Sequence, residues 1–320
     1  MATTRIGISG WRYPPWRGVF YPKDLVQRDE LAHASRQFPT IEINGSFYAL
    51  QTPSSYGNWA DATPADFVFS VKAPRYITHL KRLREVETPL ANFWASGLLR
   101  LGAKLGPILW QFPPSFSYDP ELMETFFARL PHTTAEAAEK ARAHDSHLRA
   151  PAWLEIDKSR PLRHAIEIRH RSFESAEFVA QLRRHHVAIV VADTAGRWPL
   201  MEDLSADFVY VRLHGDKELY VSGYTEGALD DWARKISAWQ KGTEVSDAKN
   251  VSPAFPPRKT GRDIFVYFDN DVKVRAPHDA RTLAHKLGLG PPPVELDTRG
   301  DHNQPRLHWA PVRTHKRPEA

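Results

Sequence analysis

The strongest constraint on the fold is a repeat of two kinds of segment. Short runs rich in β-branched and aromatic residues alternate with segments whose apolar residues have helical spacing. The strand-like runs are residues 5–9, 40–44, 67–72, 107–112, 165–169, 188–193, 208–214 and 264–270. Eight strand and helix units of one size predict an α/β protein, a single (β/α)8 barrel of the TIM type. Residues 194–207 have room for only a turn or two of helix, so a doubly wound open sheet is the alternative.

The predicted barrel domain spans residues 1–288. Residues 132–160 look like an insertion after the fourth unit, partly helical because of their Ala and Glu content. Residues 289–320 have too little apolar periodicity to form a domain, which predicts an extended or disordered C-terminal tail. A chain of 320 residues that is 42% hydrophobic can supply the core of one such domain.

Composition excludes several classes of protein. The chain has no cysteine, so it has no disulfide, no thiolate metal site and no cysteine nucleophile. Its net charge of +5 allows an anionic partner without requiring one. The N-terminal residues do not resemble a secretory signal, and no run approaches the roughly 18 apolar residues that span a bilayer. We therefore expect a cytoplasmic protein with no membrane partner.

Polar residues occupy one face of the predicted strands. In the run 165–169, Ile166 and Ile168 alternate with Glu167 and Arg169, and side chains two residues apart share a face. If the apolar face packs on the helices, the polar face points into the barrel. Charged positions concentrate at the C-terminal ends of the strands, where barrels of this type build ligand sites. A structural ion network is the alternative, but burying it would cost several kcal/mol per ion.

These strand ends and the adjoining loops supply the candidate site. The carboxylates predicted to act as acid or base are Glu42, Glu167 and Asp193. The side chains predicted to bind ligand charge are Lys72, Arg75, His79, Arg169, Arg212 and His214. The polar and aromatic residues predicted to complete the binding set are Trp11, Asn44, Tyr48, Gln111, Tyr224, Asp269 and Asn270.

Seven segments resemble, in order, those of the YecE-like family, the domain of unknown function 72. They are residues 8–22, 38–48, 67–83, 105–116, 165–173, 208–215 and 266–271. The resemblance runs from about Ile6 to Leu287 and implies a TIM-type barrel, but no activity. Ser9 stands where a Thr-Ser pair is commoner in the family, Phe173 where Trp is usual and Asp269 where Asn is frequent. The last of these adds a negative charge at the predicted mouth.

The residues favour an enzyme, a hydrolase or an isomerase, acting on an anionic, ring-containing substrate. A nucleotide, a sugar phosphate or nucleic acid would fit. The first alternative is a non-catalytic protein that binds such a ligand or nucleic acid. The second, by analogy of fold, is a metal-dependent isomerase or nuclease with a divalent ion held by Glu167, Asp193, His214 and Asp269. Because nearby arginines would repel a metal, no cofactor is predicted. Phosphate-loop, dinucleotide, nucleophile-elbow and zinc-protease motifs are absent.

Overall fold

Eight parallel strands close into a barrel in the computed structural model, which describes residues 2–256, 258–270 and 274–291. The strands are β1 (Thr4–Ser9), β2 (Thr40–Ile43), β3 (Val68–Lys72), β4 (Leu105–Gln111), β5 (His164–Glu167), β6 (Ala188–Asp193), β7 (Phe208–Leu213) and β8 (Asp263–Phe268). Each pairs with the next, and β8 pairs with β1. The predicted (β/α)8 barrel is confirmed, and closure removes the open-sheet alternative. Strand ends differ from the predicted ones by no more than two residues.

The helices of the described residues surround this barrel. They are α1 (Glu30–Ser35), α2 (Gly45–Tyr48), α3 (Pro53–Asp61), α4 (Glu87–Ala95), α5 (Pro120–Arg129), α6 (Thr134–Ala141), α7 (Ala176–Arg184), α8 (Glu226–Gln240) and α9 (Arg275–Lys286). Five begin at a side chain that accepts a hydrogen bond from the backbone N–H three residues on, as helix N-caps do. These caps are Thr52, Asp119, Thr133, Ser175 and Thr225.

The helical segment predicted after β3 is interrupted at a glycine. α4 ends at Ala95, and Gly97 has φ of 112°, a left-handed conformation that favours glycine. A Cβ at this position would lie 2.5 Å from the Cα of Pro53, so a side chain is excluded. The chain then continues through Leu98–Lys104 as two 3-10 turns separated by a kink at Gly102, and enters β4.

The connection from β6 to β7, residues 194–207, contains no helix. A later segment covers the barrel there instead. Glu202 accepts from the backbone N–H of Lys249 at 2.7 Å, and Asp203 accepts from those of Val251 and Ser252, both at 2.9 Å. Two buried carboxylates thus attach residues 249–252 to the place where a sixth crossover helix would lie.

The insertion after β4 carries α6, which packs against α4. Beyond α6, Asn92 of α4 and Asp145 exchange hydrogen bonds of 2.8 and 3.0 Å. The predicted tail, residues 289–320, lies outside the described residues from 292 onward. In the part of the chain that the structure describes, every helix is too short or too polar to cross a membrane.

Alternation along the strands separates two layers, as the sequence predicted. Apolar residues of one parity, such as Ile41 and Ile166, pack in the core between barrel and helices. Residues of the other parity fill the barrel. Near the N-terminal ends of the strands they form an apolar cluster that includes Leu109, Val190, Phe208, Phe265 and Tyr267. The polar residues of this parity lie above that cluster, at the C-terminal ends of the strands, which form the mouth of the barrel.

Candidate functional site

An arginine on β7 lies at the centre of this polar layer. Arg212 is fully buried and donates hydrogen bonds through all three side-chain nitrogens. Its Nε and Nη2 reach the two carboxylate oxygens of Glu42 at 3.1 and 2.9 Å. Nη1 reaches Glu167 Oε2 at 2.6 Å, and Nη2 also reaches Asp269 Oδ2 at 2.8 Å. One guanidinium therefore joins carboxylates from β2, from β5 and from the residue after β8, and has no nitrogen left for a ligand.

The two glutamates are saturated by further donors. Glu42 also accepts from the hydroxyl of Ser9 and from Tyr210 Oη, the latter at 2.6 Å. Glu167 also accepts from Gln111 Nε2 at 2.8 Å. Burial alone would raise the pKa of Glu167. The neighbouring guanidinium groups outweigh this effect and hold the pKa well below its ordinary value. Glu167 is thus ionised at neutral pH, which argues against its predicted role as a proton donor.

His214 stands next to this cluster as a neutral ring. Its Nε2 lies 3.3 Å from Arg212 Nη1 and accepts from it, since a guanidinium can only donate. The ring proton therefore lies on Nδ1, 3.1 Å from Asp269 Oδ2, without the geometry of a formed hydrogen bond. Burial and the charge of Arg212 lower the pKa of His214. Burial would raise the pKa of Asp269, but the charge of Arg212 holds it below its ordinary value.

A second arginine lies nearer to the solvent. Arg169 Nε donates to Glu167 Oε1 at 2.9 Å, and Nη2 reaches Tyr220 Oη at 3.3 Å. The guanidinium carbon lies 3.8 Å from the centre of the Trp198 ring, a close cation–π contact. The side chain is 12% exposed, and its Nη1 has no hydrogen bond to any described residue. Part of this guanidinium is therefore open to a ligand.

Lys72, at the end of β3, is a nearly buried amine with no ion pair. It makes no hydrogen bond or ion pair with any described residue, and its Nζ lies 4.3 Å from the centre of the Phe47 ring. Burial and the positive charge of Arg212 lower the pKa of Lys72 to about 8, against the attraction of Glu42 and the other acids. Lys72 thus titrates close to neutral pH, at the open end of the barrel.

His79 lies among three cations. Burial and the charges of Lys72, Arg169 and Arg75 lower the pKa of His79 to about 4, so the ring is neutral at pH 7. Its Nδ1 lies 2.9 Å from Thr78 Oγ1. Arg75 is exposed and has no ion pair with a described residue. The positive charges of three groups therefore act on one imidazole at the rim of the mouth.

Two predicted residues of the β6 to β8 side lie away from this cluster. Asp193 shares its strand face with Ile189 and Val191, so it points out of the barrel, and it accepts from Tyr224 Oη at 3.1 Å. Tyr224 also accepts from a backbone N–H and is 8% exposed. Burial raises the pKa of Asp193. Asp193 and Tyr224 thus hold the loop after β7 in place and do not contact the carboxylates that bind Arg212.

The remaining predicted contacts divide between packing and surface. Trp11 is buried edge-on against Trp59 at 5.3 Å between ring centroids. Asn270 is fully buried and donates to Asp279 at 2.8 Å. Asn44 donates to the Ser9 hydroxyl, while its own carbonyl oxygen is buried without a partner. Tyr48 is 72% exposed beside the mouth.

The residues of the metal hypothesis do not fit a divalent ion. Asp193 faces away from the other three predicted ligands, and Glu167 and Asp269 already bind Arg212. Across residues 2–256, 258–270 and 274–291, no group of three or more His, Asp or Glu side chains is arranged to hold one metal ion. His214, which would be the fourth ligand, has its Nε2 against a guanidinium.

The structure adds residues that the predicted site omitted. Tyr210 and Ser9 both donate to Glu42. Strand alternation could have found them, because Tyr210 shares a face with Arg212 and Ser9 lies on the face opposite Ile6 and Ile8. Trp198, whose ring contacts Arg169, lies in the connection from β6 to β7. Phe47, whose ring contacts Lys72, lies in the short helix α2. No periodic signal marks these two rings, so the sequence pattern could not assign them.

Comparisons with known proteins agree with this fold. The model of the family described as "Protein of unknown function DUF72" matches residues 5–304. The chain is 33% identical over 116 residues to UPF0759 protein YunF of Bacillus subtilis (strain 168). The matched region covers 35% of this chain and 40% of YunF. It is 29% identical over 143 residues to UPF0759 protein YecE of Escherichia coli (strain K12), which covers 39% of this chain and 50% of YecE. The chain thus spans half or less of the curated relatives it matches.

Two solved structures share the architecture. A DUF72 family protein from Thermotoga maritima MSB8 superposes with a TM-score of 0.67 at 22% identity, covering 89% of this chain and 99% of that one. A DUF72 family protein from Enterococcus faecalis V583 superposes with a TM-score of 0.61 at 16% identity, covering 91% and 99%. At these identities the likeness supports the fold alone.

Proposed function

The chain belongs to the DUF72 family, and from that premise we propose that the barrel mouth is an anion-binding active site. Its ligand is a small molecule that carries a phosphate or carboxylate group. Lys72, Arg75 and Arg169 bind the anionic group, and Lys72 also transfers a proton to or from the bound molecule. Membership of this family supplies no chemistry, so the residues of the mouth carry the proposal.

The observation that carries the proposal is an amine without an ion pair to any described residue, placed beside His79 at the mouth. The Lys72 amine and the His79 ring both contact the Phe47 ring, at 4.3 and 5.1 Å from its centre. Lys72, Arg75 and Arg169 each lower the pKa of this histidine. Two of the three, Lys72 and Arg75, have no carboxylate partner among the described residues. Charged groups without partners, held at the C-terminal end of a barrel, are suited to an anionic ligand because they provide charge-assisted donors.

Lys72 is the best candidate for proton transfer. A general acid or base works best when its pKa is near the operating pH, and the pKa of Lys72 is lowered to about 8. Glu167 is ionised and hydrogen-bonded to three side chains, so it suits the role of an electrostatic support. In this account Glu42 and Glu167 hold Arg212 in place, and the acid or base role first assigned to them passes to Lys72.

Matched substitutions of one lysine test both parts of the proposal. Inorganic phosphate is titrated calorimetrically into the wild type and into Lys72→Arg, Lys72→Met and Arg75→Ala. We expect phosphate binding to weaken roughly tenfold in Lys72→Met and Arg75→Ala, as loss of a charged hydrogen bond predicts. Lys72→Arg keeps the charge and should retain binding. If phosphate does not bind the wild type, or binds all four proteins equally, the anion site is wrong.

The catalytic part uses the same variants. Sugar phosphates in D2O are followed by NMR for exchange of carbon-bound protons. The wild type should exchange at least one of them, and Lys72→Arg should lose exchange while it retains phosphate affinity, because arginine does not titrate in this range.

A non-catalytic binding protein is the second candidate. The observation that favours it is the saturation of Glu42 and Glu167 by hydrogen-bond donors, which leaves no free carboxylate base. Its outcome in the same experiments is phosphate affinity that depends on Lys72 with no proton exchange on any sugar phosphate tested.

A further inference from the structure

We propose that a cavity next to the mouth is a second subsite, which takes an aromatic ring of the same ligand whose anionic group the mouth binds. This inference rests on the proposed function and extends it. The substrate class is then an aromatic or heteroaromatic ring joined by a short linker to a phosphate or carboxylate.

The cavity has a volume of about 480 Å³, within the range of small-molecule sites. It lies between α2, the π-helical turn Tyr76–Leu80, the N-terminal half of α4 and the insertion after β4. Its apolar lining is formed by Phe47, Leu50, Pro74, Ile77 and Pro89. Polar groups stand among the other lining residues, so the site has an apolar floor and a few hydrogen-bonding positions.

One ring is shared by this cavity and the mouth. Phe47 lines the cavity, and the Lys72 amine lies 4.3 Å from its ring centre. The same ring lies edge-on to His79 at 5.1 Å between centroids. A ligand whose anion contacts Lys72 and that extends around the Phe47 ring would place a second group in the cavity.

Two exposed tyrosines favour an aromatic occupant. Tyr48 is 72% exposed and Tyr76 is 49% exposed, and both line the cavity. Rings left open beside an apolar cavity offer faces and edges for stacking, which aliphatic groups do not use as well. Tyr48 is held edge-on against Phe47 at 5.1 Å, so its ring is already oriented when a ligand arrives.

The walls of the cavity contain strained backbone on one side and side chains joined by hydrogen bonds on the other. Arg82, Leu83 and Glu85 all have positive φ, between 50° and 65°, in the segment that follows the π-helical turn. Non-glycine residues in this region and π-helical turns both concentrate at binding sites. On the opposite wall, the hydrogen bonds between Asn92 and Asp145 fix the insertion to α4. The cavity is thus bounded by backbone that is held in place without a ligand.

The test compares one ligand with its two halves. Naphthylmethylphosphonate, which cannot be hydrolysed at its P–C bond, is titrated calorimetrically beside methylphosphonate and naphthalenemethanol. We expect naphthylmethylphosphonate to bind the wild type about fivefold or more tightly than methylphosphonate, as one aromatic contact supplies.

Three variants locate the gain. Ala49→Trp fills the cavity from a lining position whose backbone is extended, with φ of −152°. Tyr76→Ala removes one exposed ring. Both should abolish the advantage of the naphthyl group and leave methylphosphonate affinity unchanged. Phe255→Ala removes an aromatic side chain that is 89% exposed outside the cavity lining, and it should change neither affinity. Urea unfolding of each variant confirms that it is folded.

The outcomes separate the two proposals. If methylphosphonate binds and the naphthyl group adds nothing, or adds an advantage that survives Ala49→Trp, the subsite is wrong and the anion site stands. If naphthalenemethanol alone binds, and Ala49→Trp blocks it, the shared ligand is wrong and so is the anion site. If none of the three compounds binds, both proposals fail.

Discussion

Both ends of the barrel hold an arginine between acidic side chains, but in different surroundings. At the N-terminal end Arg163 contacts Asp263 at 2.7 Å and Asp207 at 2.8 Å, with side-chain exposures of 28, 26 and 51%. At the C-terminal end Arg212 and its two glutamates are at most 1% exposed. The third carboxylate at Arg212, that of Asp269, is 16% exposed. Water therefore solvates much of the first cluster, whereas protein groups supply nearly all of the solvation of the second.

The difference supports the site proposed at the C-terminal end. A half-exposed cluster such as that of Arg163 gains little and costs little. A fully buried network costs several kcal/mol of desolvation per ion, and apolar residues of similar volume would often be at least as stable. The C-terminal network also adjoins Lys72, a charge with no ion-pair partner. We infer that the C-terminal polar layer is retained for ligand binding despite its unfavourable desolvation free energy. The N-terminal cluster instead helps to close the barrel.

The largest expected effect comes from removing the two arginines in parallel. Arg212→Met leaves three carboxylates without their main partner and should lower the free energy of unfolding by about 3–5 kcal/mol. Arg163→Met should lower it by about 1 kcal/mol, because both of its carboxylates reach water. Urea unfolding at pH 7 measures both. Equal losses would remove the distinction between the two ends.

The next largest effect is a gain in stability, expected on replacing Lys72. The folded pKa of Lys72, about 8, is below its value of 10.5 in the unfolded chain, so the charged amine destabilises the fold below pH 8. The unfolded state binds more protons between these values, and stability should rise as pH increases through that window. Lys72→Met should therefore raise the free energy of unfolding at pH 7 by about 1–3 kcal/mol.

The control for Lys72→Met is Lys140→Met, at an exposed position on α6. It should stay within about 0.5 kcal/mol of the wild type. The advantage of Lys72→Met should also shrink between pH 8 and pH 10. Two results would show that burial does not disfavour the charged amine. One is a Lys72→Met variant less stable than the wild type, and the other is a gain in the free energy of unfolding that does not change with pH.

The smallest effect belongs to the N-terminal cluster. Asp207→Asn removes one charge from a carboxylate that is 51% exposed and should cost less than about 1 kcal/mol. Because the pair is exposed, this cost should fall further in 1 M salt, where screening acts over about 3 Å. A cost above that of Arg163→Met would mean that Asp207 has a role besides this ion pair.

Alternation and strand count predicted the barrel because both follow from the local pattern. The eight strands and their inward faces needed only the period of two. The same rule places Asp193 on the outer face with Ile189 and Val191, as the structure does.

Other features depend on contacts between distant segments. Nothing in the sequence indicates that residues 249–252 replace a helix between β6 and β7. Nor does it indicate that Arg212 takes three carboxylates while Lys72 takes none, because pairing depends on side-chain reach across the barrel. Charge placement was predictable at the level of strand faces, and charge pairing was not.

The titration of Lys72 tests the central claim most directly. In protein labelled with ¹³C at the lysine ε carbon, the resonance of Lys72 is assigned by its loss in Lys72→Arg and followed by NMR from pH 6 to pH 11. The account predicts a pKa of about 8, which rises when inorganic phosphate is added because the anion stabilises the charged amine. A pKa near 10.5 that phosphate does not move would contradict it.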